Sequence, residues 1–368
     1  MVDRVPLLDL RRVPESLDNA MIETFSRVLK SGQYILGPEV EALERESAAY
    51  CQTKHALGVS SGTDAIIVAL LALGIGAGDE VICPTYTFFA TAGAIWRTGA
   101  KPVFVDVDEA TFNVTAATIE GAITSRTKAI MPVHLFGRAA EMEPILALAK
   151  KHGLRVIEDA AQAIGADDHG CRVGGLGDIG CFSFFPSKNL GAVGDAGFVT
   201  TNDEALHRQM KIVRVHGGAS EYHHSMVGGN FRIDALQAAL IRVKLPLLEE
   251  STERRQKNAS LYMKLLAGSP VRLPAPATGR HIFNQFVITS DKRDALQAHL
   301  KTKNIATKVY YPVPLHLQPC FDSLGLKEGA LPVAEKLAKT SLALPIFPEL
   351  TEDEIRYVAD GIQSFERA

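Results

Sequence analysis

The segment Cys181-Phe-Ser-Phe-Phe-Pro-Ser-Lys-Asn-Leu-Gly191 runs a strongly apolar strand into a turn that carries one lysine, Lys188. Lysine is rarely buried without a partner. Beside an aromatic strand its charged form is disfavoured, which is the condition for a nucleophilic amine. The competing reading is a stem that lies along the aromatics while the amine reaches water. Upstream, Arg155-Val-Ile-Glu-Asp-Ala-Ala-Gln162 is an apolar run ending in adjacent carboxylates, Glu158 and Asp159. Alternation along a strand aims neighbours at opposite faces, so the two are poorly placed for acid–base work on one bond. One of them can face a cleft and hold a cationic ring nitrogen; the plainer reading is a helix N-cap. Further upstream, Ser60-Ser-Gly-Thr-Asp-Ala65 opens the most apolar helix of the chain. Free N–H groups and the positive dipole end suit an anion there, and Gly62 lets a phosphate approach the backbone. A simple N-cap is again the alternative.

Outward from these motifs, short apolar runs alternate with helical stretches. Strands are expected at His55–Ser60, Glu80–Pro84, Lys101–Asp106, Lys128–Val133, Arg155–Glu158, Cys181–Phe185 and Gly197–Thr200. Helices are expected between them, among them Thr63–Leu73, Phe88–Arg97 and Thr115–Ile123. That alternation predicts an α/β fold with a mainly parallel sheet covered on both faces. In such sheets ligands bind beyond the carboxyl ends of the strands, and all three motifs stand just after a strand. From about Ser251 the pattern changes to a helix near Thr252–Ala267, a Pro-rich turn, a strand near Ile282–Ile288 and a terminal helix near Thr351–Phe365. The expected division is a large domain, residues 1–250, and a smaller C-terminal α/β domain, residues 251–368.

Taken together, an anion cradle, a carboxylate for a ring nitrogen and a reactive amine are what pyridoxal phosphate requires. Two other patterns carry less. Gly175-Leu-Gly-Asp-Ile-Gly180 spells G-x-G-x-x-G, but it precedes a strand instead of opening a helix. His223 and His224 are adjacent, point apart on regular structure and lack accompanying carboxylates, so no metal is expected.

Composition narrows the class. Of 368 residues, 46% are apolar and 22% charged, which excludes a disordered chain. The net charge of −3 provides no global field for nucleic acid or an anionic membrane. The five cysteines are widely spaced with no C-x-x-C, so neither a disulfide framework nor a zinc knuckle is indicated. The first residues lack the apolar core of a signal peptide, and no apolar stretch approaches the roughly 20 residues of a membrane span. A soluble, cytoplasmic protein with no membrane or nucleic-acid partner is expected.

The chain resembles the DegT/DnrJ/EryC1/StrS sugar aminotransferase family of fold type I pyridoxal phosphate enzymes, which have the aspartate-aminotransferase-like fold. The resemblance spans essentially the whole chain. It rests on Gly32-Gln-Tyr-Ile-Leu-Gly-Pro-Glu-Val40, Gly62-Thr-Asp-Ala65, Pro102-Val-Phe-Val-Asp-Val-Asp108, Glu158-Asp-Ala-Ala-Gln162, Ser183-Phe-Phe-Pro-Ser-Lys-Asn-Leu-Gly191, Gly229-Asn-Phe-Arg232 and Tyr311-Pro-Val-Pro-Leu-His316. It implies that Lys188 bonds the cofactor and moves the proton during catalysis, and that Asp159 pairs with the pyridine nitrogen. It further implies that Gln162 meets the ring hydroxyl, that Gly62, Thr63 and Ser183 bind the phosphate, and that Phe88 covers the ring. Asn230 is implied to reach the phosphate of a neighbouring subunit, hence a homodimer with shared sites. Phe231 stands where the family often has tyrosine. L-Glutamate is the implied donor, and a UDP- or dTDP-linked keto sugar the acceptor, in amino-sugar, lipopolysaccharide, O-antigen or glycoside biosynthesis. The segments Gln33–Val40, Glu221–His224 and Tyr310–Gln318 resemble enzymes that aminate C3 more than those that aminate C4. Arg232, Tyr310, Tyr311 and His316 are candidate substrate contacts. Two readings of other classes are a sugar-nucleotide dehydrogenase, which lacks its Gly-rich strand–helix fingerprint here, and a non-catalytic sensor that binds pyridoxal phosphate.

Overall fold

The computed structural model describes residues 2–220 and 222–366. Glu221, part of one segment that suggested C3 chemistry, lies outside the described residues. Seven strands form one sheet in the order His55–Val59, Gly197–Thr201, Ile179–Ser183, Arg155–Asp159, Thr127–Ile130, Glu80–Pro84, Lys101–Val105. The five from Lys101–Val105 to Ile179–Ser183 pair in parallel. Gly197–Thr201 runs antiparallel to both of its neighbours. Residues 184–196, which precede it, contain no helix. The chain turns back on itself there, with the Phe184 N–H donating to the Ala196 carbonyl at 2.8 Å. His55–Val59, antiparallel to that reversed strand, shares the direction of the parallel ones. The tips Val59, Pro84, Asp159 and Ser183 consequently meet along one sheet edge.

The helix Gly62–Ala72 buries every residue from Ala65 to Leu70, as its apolar sequence demands. Ser61 caps it, accepting from the Asp64 N–H at 3.1 Å. Such a helix, apolar on all sides, has to lie between other layers. Three apolar clusters surround the sheet. A fourth is built from the helices Leu248–Leu265, Arg293–Thr302 and Glu352–Glu366 and the antiparallel pair Phe286–Thr289 and Ser341–Leu344.

Val5, near the other end of the chain, is fully buried in this fourth cluster and bridges Ile305. The N-terminal segment thus packs with C-terminal residues. The helix at the expected boundary begins at Leu248, ahead of residue 251. The strand expected from Ile282 begins at Phe286, because the Ile282 N–H is already taken by the Gly137 carbonyl at 2.9 Å. The helix expected over Thr115–Ile123 covers only Ala116–Glu120, fixed by a reciprocal cap between Thr115 and Thr118.

Candidate active site

The two carboxylates at the tip of Arg155–Asp159 separate as alternation requires. Glu158 is fully buried and accepts from His134 Nε2 at 2.9 Å and from the N–H groups of Gly174, Leu176 and Gly177 at 2.7, 2.9 and 2.7 Å. His134 Nδ1 accepts from the Ala140 N–H at 3.0 Å, so its proton sits on Nε2. Glu158 is thus consumed in shaping the loop that leads into the next strand. That loop contains the Gly175–Gly180 string, of which the Leu176 and Gly177 N–H groups hold the buried Glu158 carboxylate.

Asp159 faces the other way. It is 5% exposed; Oδ2 accepts from Thr91 Oγ1 at 2.7 Å and Oδ1 from the Ala161 N–H at 3.2 Å. Burial pushes its carboxyl above the ordinary range, against the pull of these two bonds and of the Lys188 charge. A buried carboxylate in that condition is stabilised by any cation brought against it.

Lys188 lies on the reversing connection. Burial lowers its amine from 10.5 to about 8, with Asp159 acting in the opposite direction. The stretch around it is held from several sides. Ala192 N–H donates to the Phe184 carbonyl at 2.7 Å and Lys188 N–H to the Phe185 carbonyl at 2.8 Å. Lys244 Nζ donates to the Gly191 carbonyl at 2.7 Å, Gln237 Oε1 accepts from the Val193 N–H at 3.0 Å, and Asn189 Nδ2 reaches the Ile282 carbonyl at 3.2 Å. A Cβ on Gly191 would stand 2.2 Å from the Pro186 carbonyl oxygen, so the turn closes on itself only with glycine there.

The cradle forms where Gly62 meets Ser183. A Cβ at Gly62 would fall 2.6 Å from that of Ser183. Ser183 Oγ accepts from the Phe185 N–H at 3.2 Å. Thr63 and Phe88 line an open cavity of about 400 Å³ with Phe89, Trp96 and Phe321. Phe88 is 57% exposed, with its ring 6.1 Å from that of Tyr311. Gln162 Oε1 accepts from the Phe136 N–H at 2.8 Å, and its Nε2 donates to Tyr311 Oη at 3.0 Å. One amide proton of Gln162 remains free for a ligand.

The other candidates divide. Tyr311 joins the site through Gln162 and Phe88, and burial drives its hydroxyl well above the usual range. The carbonyl of half-buried Tyr310 accepts from Tyr86 Oη at 2.6 Å. Arg232 bridges Val59 beside the cradle, and its Nε is buried without a hydrogen-bond partner. Asn230 is exposed and bridges Val215. His316 does not reach the site surface. It is 1% exposed, with Nδ1 2.8 Å from Thr85 Oγ1 and Nε2 3.1 Å from Glu335 Oε1. Both ring nitrogens are occupied in joining the Pro84 tip to the helix Pro332–Thr340. Thr91, Lys244 and Gln237, which support Asp159 and Lys188, carry no sequence signal of those roles, since each acts through a long-range contact.

This donor set fits pyridoxal phosphate. A glycine-lined cradle at a helix N-terminus suits the phosphate, a buried carboxylate suits the pyridinium, and an amine near pH 8 suits the aldehyde carbon. The chain matches the DegT/DnrJ/EryC1/StrS aminotransferase family over residues 15–363. It is 53% identical to a pleiotropic regulatory protein of Geobacillus stearothermophilus, over 99% of each chain. It is 48% identical to a UDP-N-acetyl-3-dehydro-alpha-D-glucosamine 3-aminotransferase of Acidithiobacillus ferrooxidans, over 98% of this chain and 97% of the other. The crystal structure of DesV from S. venezuelae superposes with a TM-score of 0.97 at 42% identity, covering all of both chains. With the lysine, the carboxylate and the cradle on one sheet edge, the chain belongs to the DegT/DnrJ/EryC1/StrS aminotransferase family.

Proposed function

We propose that this pyridoxal phosphate-dependent aminotransferase moves an amino group from L-glutamate to C3 of a UDP- or dTDP-linked 3-keto sugar, in amino-sugar biosynthesis. The observation that carries the chemistry is the placement of Lys188 and Asp159 on one edge beside the Gly62 cradle. The C3 assignment is supported by the relative that bears a 3-aminotransferase name. When bound, pyridoxal phosphate supplies an electron sink for the carbanion at the donor Cα. Asp159 would hold the proton on the ring nitrogen. Lys188 would carry the proton between the donor Cα and the cofactor carbon. The free amide proton of Gln162 would meet the ring hydroxyl. Arg232, Tyr310 and Tyr311 face the substrate.

The working unit in this proposal is a homodimer. The helix Glu15–Ser31 presents Ile22, Phe25 and Leu29 to solvent, and Phe185 and Val193 beside Lys188 are exposed as well. Apolar surface so close to the site marks an interface. Asn230 of each chain then completes the phosphate site of the other.

The test is an absorbance scan followed by an acceptor panel. Glutamate should bleach the band of the lysine-bound cofactor, and a 3-keto sugar nucleotide should restore it faster than its 4-keto isomer. Preference for the 4-keto isomer would overturn the C3 assignment. The regulatory name of the 53% identical relative favours one other reading, a cofactor-binding sensor. A band that glutamate leaves unchanged would support that reading.

A further inference from the structure

The strand His55–Val59 has one end at the Gly62 cradle. Its other end, four residues and about 13 Å away, holds a second group of titratable side chains. The helix Glu204–Arg214 places Glu204 and His207 three positions apart, on one face. That face meets His55. The His55 and His207 rings stack with centroids 4.4 Å apart and planes 12° from parallel. His55 Nε2 lies 3.1 Å from Glu204 Oε2. One ring nitrogen from each histidine and a Glu204 carboxylate oxygen all fall within 4.8 Å of one another.

Independently, His207 Nε2 is buried and has no hydrogen-bond partner. Such atoms are rare and costly in native structures. Lys211 and Arg214 are the charged neighbours of His207 that a cation would meet.

We propose that His55, Glu204 and His207 bind a divalent transition-metal ion of the zinc type. Two imidazoles and one carboxylate make a three-ligand set, with a fourth position for water. Imidazole favours zinc, nickel or copper over magnesium and calcium, which prefer oxygen. Bonds of about 2.0–2.2 Å require the three donors to draw together and the two stacked rings to turn out of their parallel arrangement, since each imidazole lone pair lies in its own ring plane. The Glu204 side chain is 59% exposed and free to rotate toward the rings. The ion would tie the helix to the edge strand of the sheet, remote from the cofactor cradle. Lys211 and Arg214 oppose a cation here, so affinity is set by the ligands and not by the local field.

The experiment titrates zinc chloride into the holoenzyme by calorimetry, with nickel and magnesium as comparisons. Thermal unfolding is followed in parallel. One zinc per chain is expected, with a rise in Tm, and no response to magnesium. Glu204→Gln and His207→Gln should each weaken zinc at least tenfold, while transamination without added metal stays unchanged. Glu204 is exposed, so Glu204→Gln reports even if His207→Gln folds poorly. Zinc binding of equal affinity in Glu204→Gln, or no binding by the wild-type holoenzyme up to 100-fold excess, would overturn the site.

Discussion

The connection 184–196 and the segment 216–232 both border the cradle, yet they are finished to different degrees. The first is held inside its own chain by Lys244, Gln237, Asn189 and its own backbone. The second has its backbone fixed, with His216 N–H on the Gly229 carbonyl at 2.9 Å and Phe231 N–H on the Arg214 carbonyl at 3.1 Å. Two of its large side chains nevertheless point outward: Tyr222 is 91% and Val227 89% exposed. Exposed apolar side chains are common to both, Phe185 and Val193 of the first segment included; the difference lies in how the side chains of Lys244 and Gln237 tie the first one down. In our proposal the amine of Lys188 is positioned by one polypeptide, and the phosphate site is completed by two.

Lys188→Ala should have the largest effect, a loss of turnover of at least about 10⁴-fold with the fold intact by circular dichroism. Borohydride should fix the cofactor to the peptide containing Lys188; labelling of another lysine would contradict the assignment. Asp159→Asn should keep the cofactor and lose about 10²–10³-fold in rate, since a neutral amide does not hold the ring proton. A rate within threefold of wild type would show that Asp159 is not the ring partner.

Asn230→Ala addresses the second region. It should weaken cofactor retention about tenfold, roughly one hydrogen bond to a charged group. Mixed dimers of Asn230→Ala and Lys188→Ala chains should regain one working site, combining Lys188 from one chain with Asn230 from the other. Recovery no greater than the residual activity of the Asn230→Ala chains would mean that Asn230 serves only its own chain.

An effect on stability alone lies in pH. The Lys188 amine titrates near 8 in the folded chain and at 10.5 when unfolded. Between those values only the unfolded chain holds the proton, so the stability of the cofactor-free protein rises with pH and levels off above. Lys188→Ala should lack this rise in urea denaturation. Smallest is Lys244→Met, which removes one hydrogen bond from the turn. About 1 kcal/mol of stability should go, together with a changed apparent pKa of the cofactor band. A shift in stability alone would mean that the turn does not need Lys244 to aim Lys188.

What the sequence disclosed was decided by locality. Lys188, Asp159 and Gly62 each follow a strand whose apolar run is readable, and the rule about carboxyl ends brings them together. The reversal of Gly197–Thr201 was not legible, because the direction of a strand after a helix-free link depends on pairing with strands distant in sequence. The division at residue 250 did not foresee Val5 in the C-terminal core, because the short apolar run Val5–Leu8 has no period to read. His316 was proposed for its motif, but its partners Thr85 and Glu335 are distant in sequence and claim both ring nitrogens. Thr91, Lys244 and the His55–Glu204–His207 group were invisible for the same reason: each depends on a packing that joins separate elements.

The contact between Gly62 and Ser183 bears on protein engineering. Cofactor affinity is commonly retuned by adding or removing side-chain atoms around a phosphate. Position 62 cannot be used in this way, because even an alanine methyl would overlap the Ser183 Cβ at 2.6 Å. A larger residue 62 would press on Ser183 and the strand Ile179–Ser183, and with it on the start of the turn that carries Lys188. Under the proposed roles, a library that diversifies residue 62 to loosen the cofactor would disturb Lys188 as well, so binding and catalysis at this edge would not be optimised independently.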